Sequence, residues 1–164
     1  MPLTSTPTPR IGARVLLLNA DNQVLLIHAR DPNDPDHHWW ELPGGGLDDG
    51  ETLTDAARRE VAEESGLLLD TIGRKLWTRE SRFHYRGRDH HRIDHVFLAH
   101  ITDHTPQTPP RPTANERAGL IERRWWDQAD LQQCTDKLLP AELATLLRDL
   151  LENRFSPAPL ALLD

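Results

Sequence analysis

Aliphatic residues run almost unbroken from Ile11 to Leu18, yield to turn-forming residues from Asn19 to Asn22, and return from Val24 to Ile27. Two such runs around a turn predict strands joined as a hairpin. Asp31 to His38 is polar and interrupted by two prolines, so it reads as a surface loop that delivers Trp39 and Trp40 to a new segment. Pro43, Gly44, Gly45 and Gly46 follow. Three consecutive glycines mark a loop, because glycine weakens the interior of a helix or a strand. From Thr52 the pattern changes. Thr52 can cap, Leu53 to Ser65 is compatible with a helix, and Gly66 suits the left-handed position that ends one.

Further along, residues from about Gly73 to Tyr85 and from His91 to Ile101 carry Trp, Phe, Tyr, Val and Ile, with Arg86 to Asp89 as the turn between them. This predicts a long hairpin. Asp103 to Pro112 contains four prolines and reads as a loop. Leu120 to Trp126 reads as a strand. In Pro140 to Glu152, Leu143, Leu146, Leu147, Leu150 and Leu151 recur at spacings of three and four, which predicts an amphipathic helix. Strands alternating with two helices, without an internal repeat, predict a mixed α/β domain. Residues 1–9, rich in Thr and Pro, read as a flexible arm, residues 10–155 as one domain, and residues 156–164 as a C-terminal tail.

Composition narrows the function. A chain of 164 residues fits a single core. Hydrophobic residues make up 37%, and the shortfall from the usual average falls in segments rich in Pro, Arg and Asp. No stretch approaches the roughly 20 apolar residues of a membrane helix, and the start of the chain lacks a signal-peptide layout, so a soluble, cytoplasmic protein is expected. Cys134 is the only cysteine, which excludes an internal disulfide and a thiolate-rich zinc site and leaves oxygen or imidazole for any metal. A net charge of −7 argues against broad binding to a nucleic-acid backbone. A phosphorylated ligand remains compatible with that charge, because a bound dication reverses an acidic site's local field.

The chemistry concentrates on the helix from Leu53. At 100° per residue, Leu53, Ala56 and Ala57 share a core-facing stripe, and Glu60, Glu63 and Glu64 fall on or beside it. Carboxylates continuing an inward face resist desolvation unless a cation or hydrogen-bonding partner is present. The alternative is a solvated acidic face in which Glu63 pairs with Arg59, four residues earlier. The glycine loop that feeds the same helix favours a site, since bare backbone can approach phosphate oxygens or a metal closely. A hard cation such as Mg²⁺ takes carboxylate and water oxygens where they meet substrate phosphates, and it can activate water for attack at phosphorus.

These residues resemble the Nudix box, the pattern G-x5-E-x7-R-E-U-x-E-E-x-G-U, in which U is a bulky aliphatic residue. Gly45 and Glu51 match its opening and Arg59 and Glu60 its central pair. Val61 matches the aliphatic position, Glu63 and Glu64 the acidic pair, and Gly66 and Leu67 the close. The resemblance to the Nudix hydrolase family implies an α/β/α sandwich with a mixed sheet. It also implies hydrolysis of a diphosphate in a nucleotide or nucleoside diphosphate derivative, with Mg²⁺ as cofactor and Mn²⁺ as a substitute. By the same resemblance, Glu60, Glu63 and Glu64 bind metal, Glu60 is a candidate general base and Arg59 orients it. Glu51 supports the loop and helix, and the Gly45 carbonyl adds a ligand. Glu116, in the loop before the late strand, is a rival base or ligand.

Outside the box, Trp40-Glu41-Leu42-Pro43-Gly44-Gly45-Gly46 and Arg124-Trp125-Trp126 resemble flanking family segments. Trp40 reads as core packing rather than a base-stacking platform. His84, His90, His91 and His95 cluster on the long hairpin, but adjacent histidines on an extended chain point to opposite faces. Arg82, Arg86, Arg88 and Arg92 make that hairpin basic, which suits either a phosphate or bulk solvent. Two other uses of such a fold are a nucleotide-binding module without turnover and an isomerase. Cys134, far downstream, gives the isomerase no evident thiol. Homodimers are common among such proteins, and no feature here demands one.

Overall fold

The computed structural model describes residues 8–103, 110 and 119–164. In chain order its elements are β1 (Arg10–Leu18), β2 (Val24–Asp31), β3 (Asp34–Glu41), β4 (Gly44–Gly46), α1 (Leu53–Ser65), β5 (Lys75–Tyr85), β6 (Arg88–His100), β7 (Leu120–Trp126), α2 (Gln128–Gln133), β8 (Leu138–Leu139), α3 (Leu143–Leu151) and β9 (Leu160–Leu163). Glu116 and most of the proline-rich segment read as a loop lie outside the described residues.

β1 explains the layering. From Gly12 to Leu18 its residues are buried, because both faces of the strand are covered. Ala13, Val15 and Leu17 point into a core shared with Ala56, Ala57 and Val61 of α1. Leu16 and Leu18 point the other way, into a core holding Leu131 of α2 and Leu143, Leu146 and Leu147 of α3. The result is an α/β/α sandwich. The sheet runs β8-β3-β2-β1-β6-β5-β9, and it is mixed because β1 pairs parallel with β6 while β5 pairs antiparallel with β6.

The turn after β1 is built by Asn19, whose side-chain oxygen accepts from the backbone N–H groups of Asp21 and Gln23, with Asn22 at φ 58°. Beyond it β1 and β2 meet only at Leu18 and Val24 and then separate. β4 runs beside β1, and β7 runs beside β2. α1 packs against β1 and β4 on one side of this split.

Several elements differ from the sequence expectation. The polar stretch expected to be a loop is mostly strand β3, because it lies at a sheet margin where its neighbour β8 reaches only Trp40 and Glu41. Polar side chains and Pro35 are tolerated on such an edge. Gly44 to Gly46, expected as a loop, form β4 against Gly12, Ala13 and Arg14. Here bare backbone is what permits pairing, since a Cβ on Gly44 would lie 2.3 Å from the Ala13 carbonyl oxygen. The long hairpin turns more tightly than expected, through Arg86 and Gly87 at φ 54° and 74°, as a two-residue turn requires. α2 and β8 are short pieces that carry no periodic signal. α3 begins at Leu143 rather than Pro140. Within the segment expected as a tail, Leu160 to Leu163 adds β9 parallel to β5, and Asp164 pairs with Arg79.

Candidate active site

α1 is fixed at both ends by local chemistry. Thr52 Oγ1 accepts from the Asp55 N–H at 3.1 Å, and Gly66, at φ 76°, donates its N–H to the Ala62 carbonyl. The buried face of the helix comprises Ala56, Ala57, Glu60, Val61 and Ser65. Glu60 is therefore a carboxylate within a core-facing stripe, only 7% exposed. A buried charge persists there only with partners.

Arg59 is such a partner. Its Nη1 donates to Glu60 Oε1 at 3.0 Å and to Glu63 Oε2 at 3.2 Å, while Nε and Nη2 donate to the two oxygens of Glu51 at 2.8 and 2.9 Å. Nη2 also donates to the Gly46 carbonyl at 2.9 Å, and Asp48 lies 3.2 Å from Nε. The fork of the guanidinium thus ties β4, the 48–51 turn and α1 together. Its hydrogen bond with Glu51 and the nearby Glu60 raise the Arg59 pKa against the opposing effect of burial. The same bond holds the Glu51 carboxyl below its ordinary range. The Glu63–Arg59 pair of the solvated-face alternative does form, but the guanidinium that makes it also serves Glu51 and Glu60.

Gly45 lies against Glu60. A Cβ there would sit 2.6 Å from Glu60 Oε1 and 2.7 Å from its carboxyl carbon. Gly45→Ala must therefore displace a carboxylate that Arg59 holds. Denaturant unfolding should report a loss of about 1–3 kcal/mol, and turnover should fall at least about tenfold.

Glu64 bridges β4 and β7. Its Oε2 accepts from the Gly44 N–H at 3.4 Å, and its backbone carbonyl accepts from Arg123 of β7. Nearby, Arg14 is buried on β1 and donates to the Leu42 carbonyl at 2.7 Å and to Asp94 at 3.2 Å. Burial opposes the charge of Arg14, but Glu41, Asp94 and Glu64 outweigh it and raise its pKa. Arg14, Glu41, Asp94, Leu139 and Pro140 help to line a small pocket beside the split.

The structure thus brings together Gly45, Glu51, Arg59, Glu60, Glu63 and Glu64. The hairpin histidines stand apart, each with its own partner: His84 with Asp89, His90 with the Tyr85 carbonyl, His91 with Glu80 and His95 with Lys75. Trp40 is core, 2% exposed. Sequence reasoning missed Arg14 and Arg123. Arg14 carried a usable signal, as a lone charge inside an aliphatic run, whereas Arg123 sits among charged neighbours and carried none.

A family model described as the NUDIX domain matches residues 8–150. The chain belongs to the Nudix family. Proteins similar to it include an RNA pyrophosphohydrolase of Sphingopyxis alaskensis, 30% identical over 162 residues that cover 88% of this chain and 91% of the relative. Another RNA pyrophosphohydrolase, from Novosphingobium aromaticivorans, is 29% identical and covers 80% of this chain and 83% of the relative. Among solved structures, a MutT protein of Methanosarcina mazei Go1 superposes with a TM-score of 0.64 at 23% identity, covering 92% of this chain and 99% of that one, and supports the Nudix fold. In this Nudix chain the box begins within β4 at Gly45, takes in the turn after it and all of α1, and closes at Leu67. No helix among the described residues is long and apolar enough to cross a membrane.

Proposed function

We propose that the protein hydrolyses a diphosphate bond in a nucleoside diphosphate linked to another group, by attack of water at phosphorus. Glu60, Glu63, Glu64 and the Gly45 carbonyl would hold Mg²⁺, for which Mn²⁺ can substitute. The observation that carries this reading is a buried carboxylate, Glu60, pressed against the bare backbone of Gly45 at the split between β1 and β2. The donors are all oxygen, which suits a hard cation, and the missing side chain at Gly45 lets its backbone lie close against the carboxylate. When bound, Mg²⁺ supplies charge neutralisation for the diphosphate and lowers the pKa of a water molecule.

The chain's own residues supply the rest. Arg59, anchored by Glu51 and the Gly46 carbonyl, positions Glu60 as the base that takes the proton of the attacking water. The water oxygen bonds to phosphorus while the bridging oxygen leaves with its electron pair. Arg123 grips the Glu64 carbonyl and so fixes the end of α1 relative to β7.

A second substrate reading, a triphosphorylated RNA 5′ end, is favoured by the two relatives named RNA pyrophosphohydrolase. The test is a panel of nucleotide sugars, dinucleoside polyphosphates, oxidised nucleoside triphosphates, ADP-ribose and 5′-triphosphorylated RNA, with release of phosphate or pyrophosphate as the readout. We expect Mg²⁺-dependent turnover of one class, abolished by chelator. Tight binding of one compound without turnover of any would instead mean a nucleotide-binding module.

A further inference from the structure

A second group of ligating side chains lies on the sheet face opposite α1. His28 of β2, His38 of β3 and Asp136, in the segment between α2 and β8, each place one ligand atom within 4.8 Å of the others. The pairing of β2 with β3 explains the convergence. His28 stands opposite Trp40, and His38 stands opposite Arg30, so the two histidines are diagonal neighbours on one face. Trp40 belongs to the core shared with α2 and α3, which puts this group on their side of the sheet.

The surroundings orient all three side chains. The Trp40 ring stacks on His28 with centroids 4.2 Å apart and planes 15° apart, and its Nε1 donates to Asp136 Oδ2 at 3.1 Å. The Trp40 backbone N–H donates to the Lys137 carbonyl at 2.9 Å, which anchors the chain next to Asp136. His28 Nε2 and His38 Nδ1 are 3.0 Å apart. Two ligands each about 2.05 Å from a tetrahedral ion stand about 3.3 Å apart, so this pair needs only a small adjustment to share one. On the far side of the His28 ring, buried Nδ1 lacks a hydrogen-bond partner and faces Glu122 Oε1 at 3.8 Å. A carboxylate in that place favours the proton on Nδ1 and turns the Nε2 lone pair toward a metal.

We propose that His28, His38 and Asp136 form a binding site for a borderline transition-metal dication such as Zn²⁺, distinct from the α1 carboxylates, with Glu122 orienting His28. Two imidazoles and one carboxylate are a donor set for Zn²⁺, whereas Mg²⁺ selects oxygen alone. The ion would clamp the β2–β3 hairpin to the segment leading into Leu139 and Pro140, which line the pocket beside Arg14. Occupancy would thus stiffen one wall of that pocket, whether or not the proposed hydrolysis holds.

The test uses full-length protein stripped with chelator and held in excess Mg²⁺, titrated with Zn²⁺ against a chromophoric chelator and, in parallel, with Co²⁺ followed by visible absorption. We expect one Zn²⁺ per chain and a Co²⁺ band of low-symmetry ligation. His38→Ala and Asp136→Asn should each weaken binding at least about tenfold and remove the band, while Glu63→Gln on α1 leaves both intact. Asp136→Asn preserves shape and carries the test if His38→Ala fails to fold. Failure to bind Zn²⁺, equal affinity in both cluster variants, or loss of binding in Glu63→Gln would each overturn the site.

Discussion

Glu64→Gln and Glu63→Gln are each expected to lower turnover at least about a hundredfold while leaving the fold intact. Glutamine keeps the shape of the side chain and an amide oxygen. At position 64 it can still accept from the Gly44 N–H, and at position 63 it can still accept from Arg59. The backbone bond from Arg123 to the carbonyl of residue 64 is untouched. What disappears is one negative charge at the place proposed to hold a dication. The loss should therefore appear in kcat and in the Mg²⁺ concentration needed for half-maximal rate, with the unfolding midpoint nearly unchanged. Near-normal rates in both variants would mean that these carboxylates are solvated helix surface, as the blander sequence reading allowed.

Arg59→Gln should have the largest effect on stability. One guanidinium serves Glu51, Glu60 and Glu63 together with the Gly46 carbonyl, so its removal leaves three carboxylates close together and one of them buried. A loss of about 2–4 kcal/mol in denaturant unfolding is expected, together with at least a tenfold loss of turnover as Glu60 drifts from its position. A pH series separates this role from simple packing. The folded Glu51 carboxyl is held below its ordinary range by Arg59, so its stabilising contribution is present above the unfolded carboxylate pKa and is lost as pH falls through the folded value. Wild type should lose stability across that acidic window, and the Arg59→Gln variant should lose less there. Parallel pH profiles would contradict the pairing.

What could be read from the sequence follows the range of each interaction. α1 was legible from cap to cap because Thr52 and Gly66 act on residues within four positions. The acidic side chains were legible for the same reason, as one turn of helix sets their spacing. β1 and β7 were legible from their composition. The strand β3 was not, since its polar residues survive only because the sheet leaves that edge little covered, a fact of topology rather than of local pattern. The glycine strand β4 ran against local propensity because the approach of Ala13 and Glu60 decides it. Arg14 joins Asp94 across 80 positions, and Trp40 joins Asp136 across 96, so neither association leaves a trace in spacing. The histidines that the sequence drew together on the long hairpin are held apart by separate partners, while His28 and His38 meet through strand pairing.

The most direct measurement is a crystal grown with Mn²⁺ in place of Mg²⁺ and a non-hydrolysable diphosphate analogue of the substrate, with the metal located by anomalous scattering. The account predicts anomalous peaks between the carboxylates of Glu60, Glu63 and Glu64 and the oxygens of the diphosphate. A well-ordered analogue with no peak on α1, its glutamates turned to solvent, would contradict it.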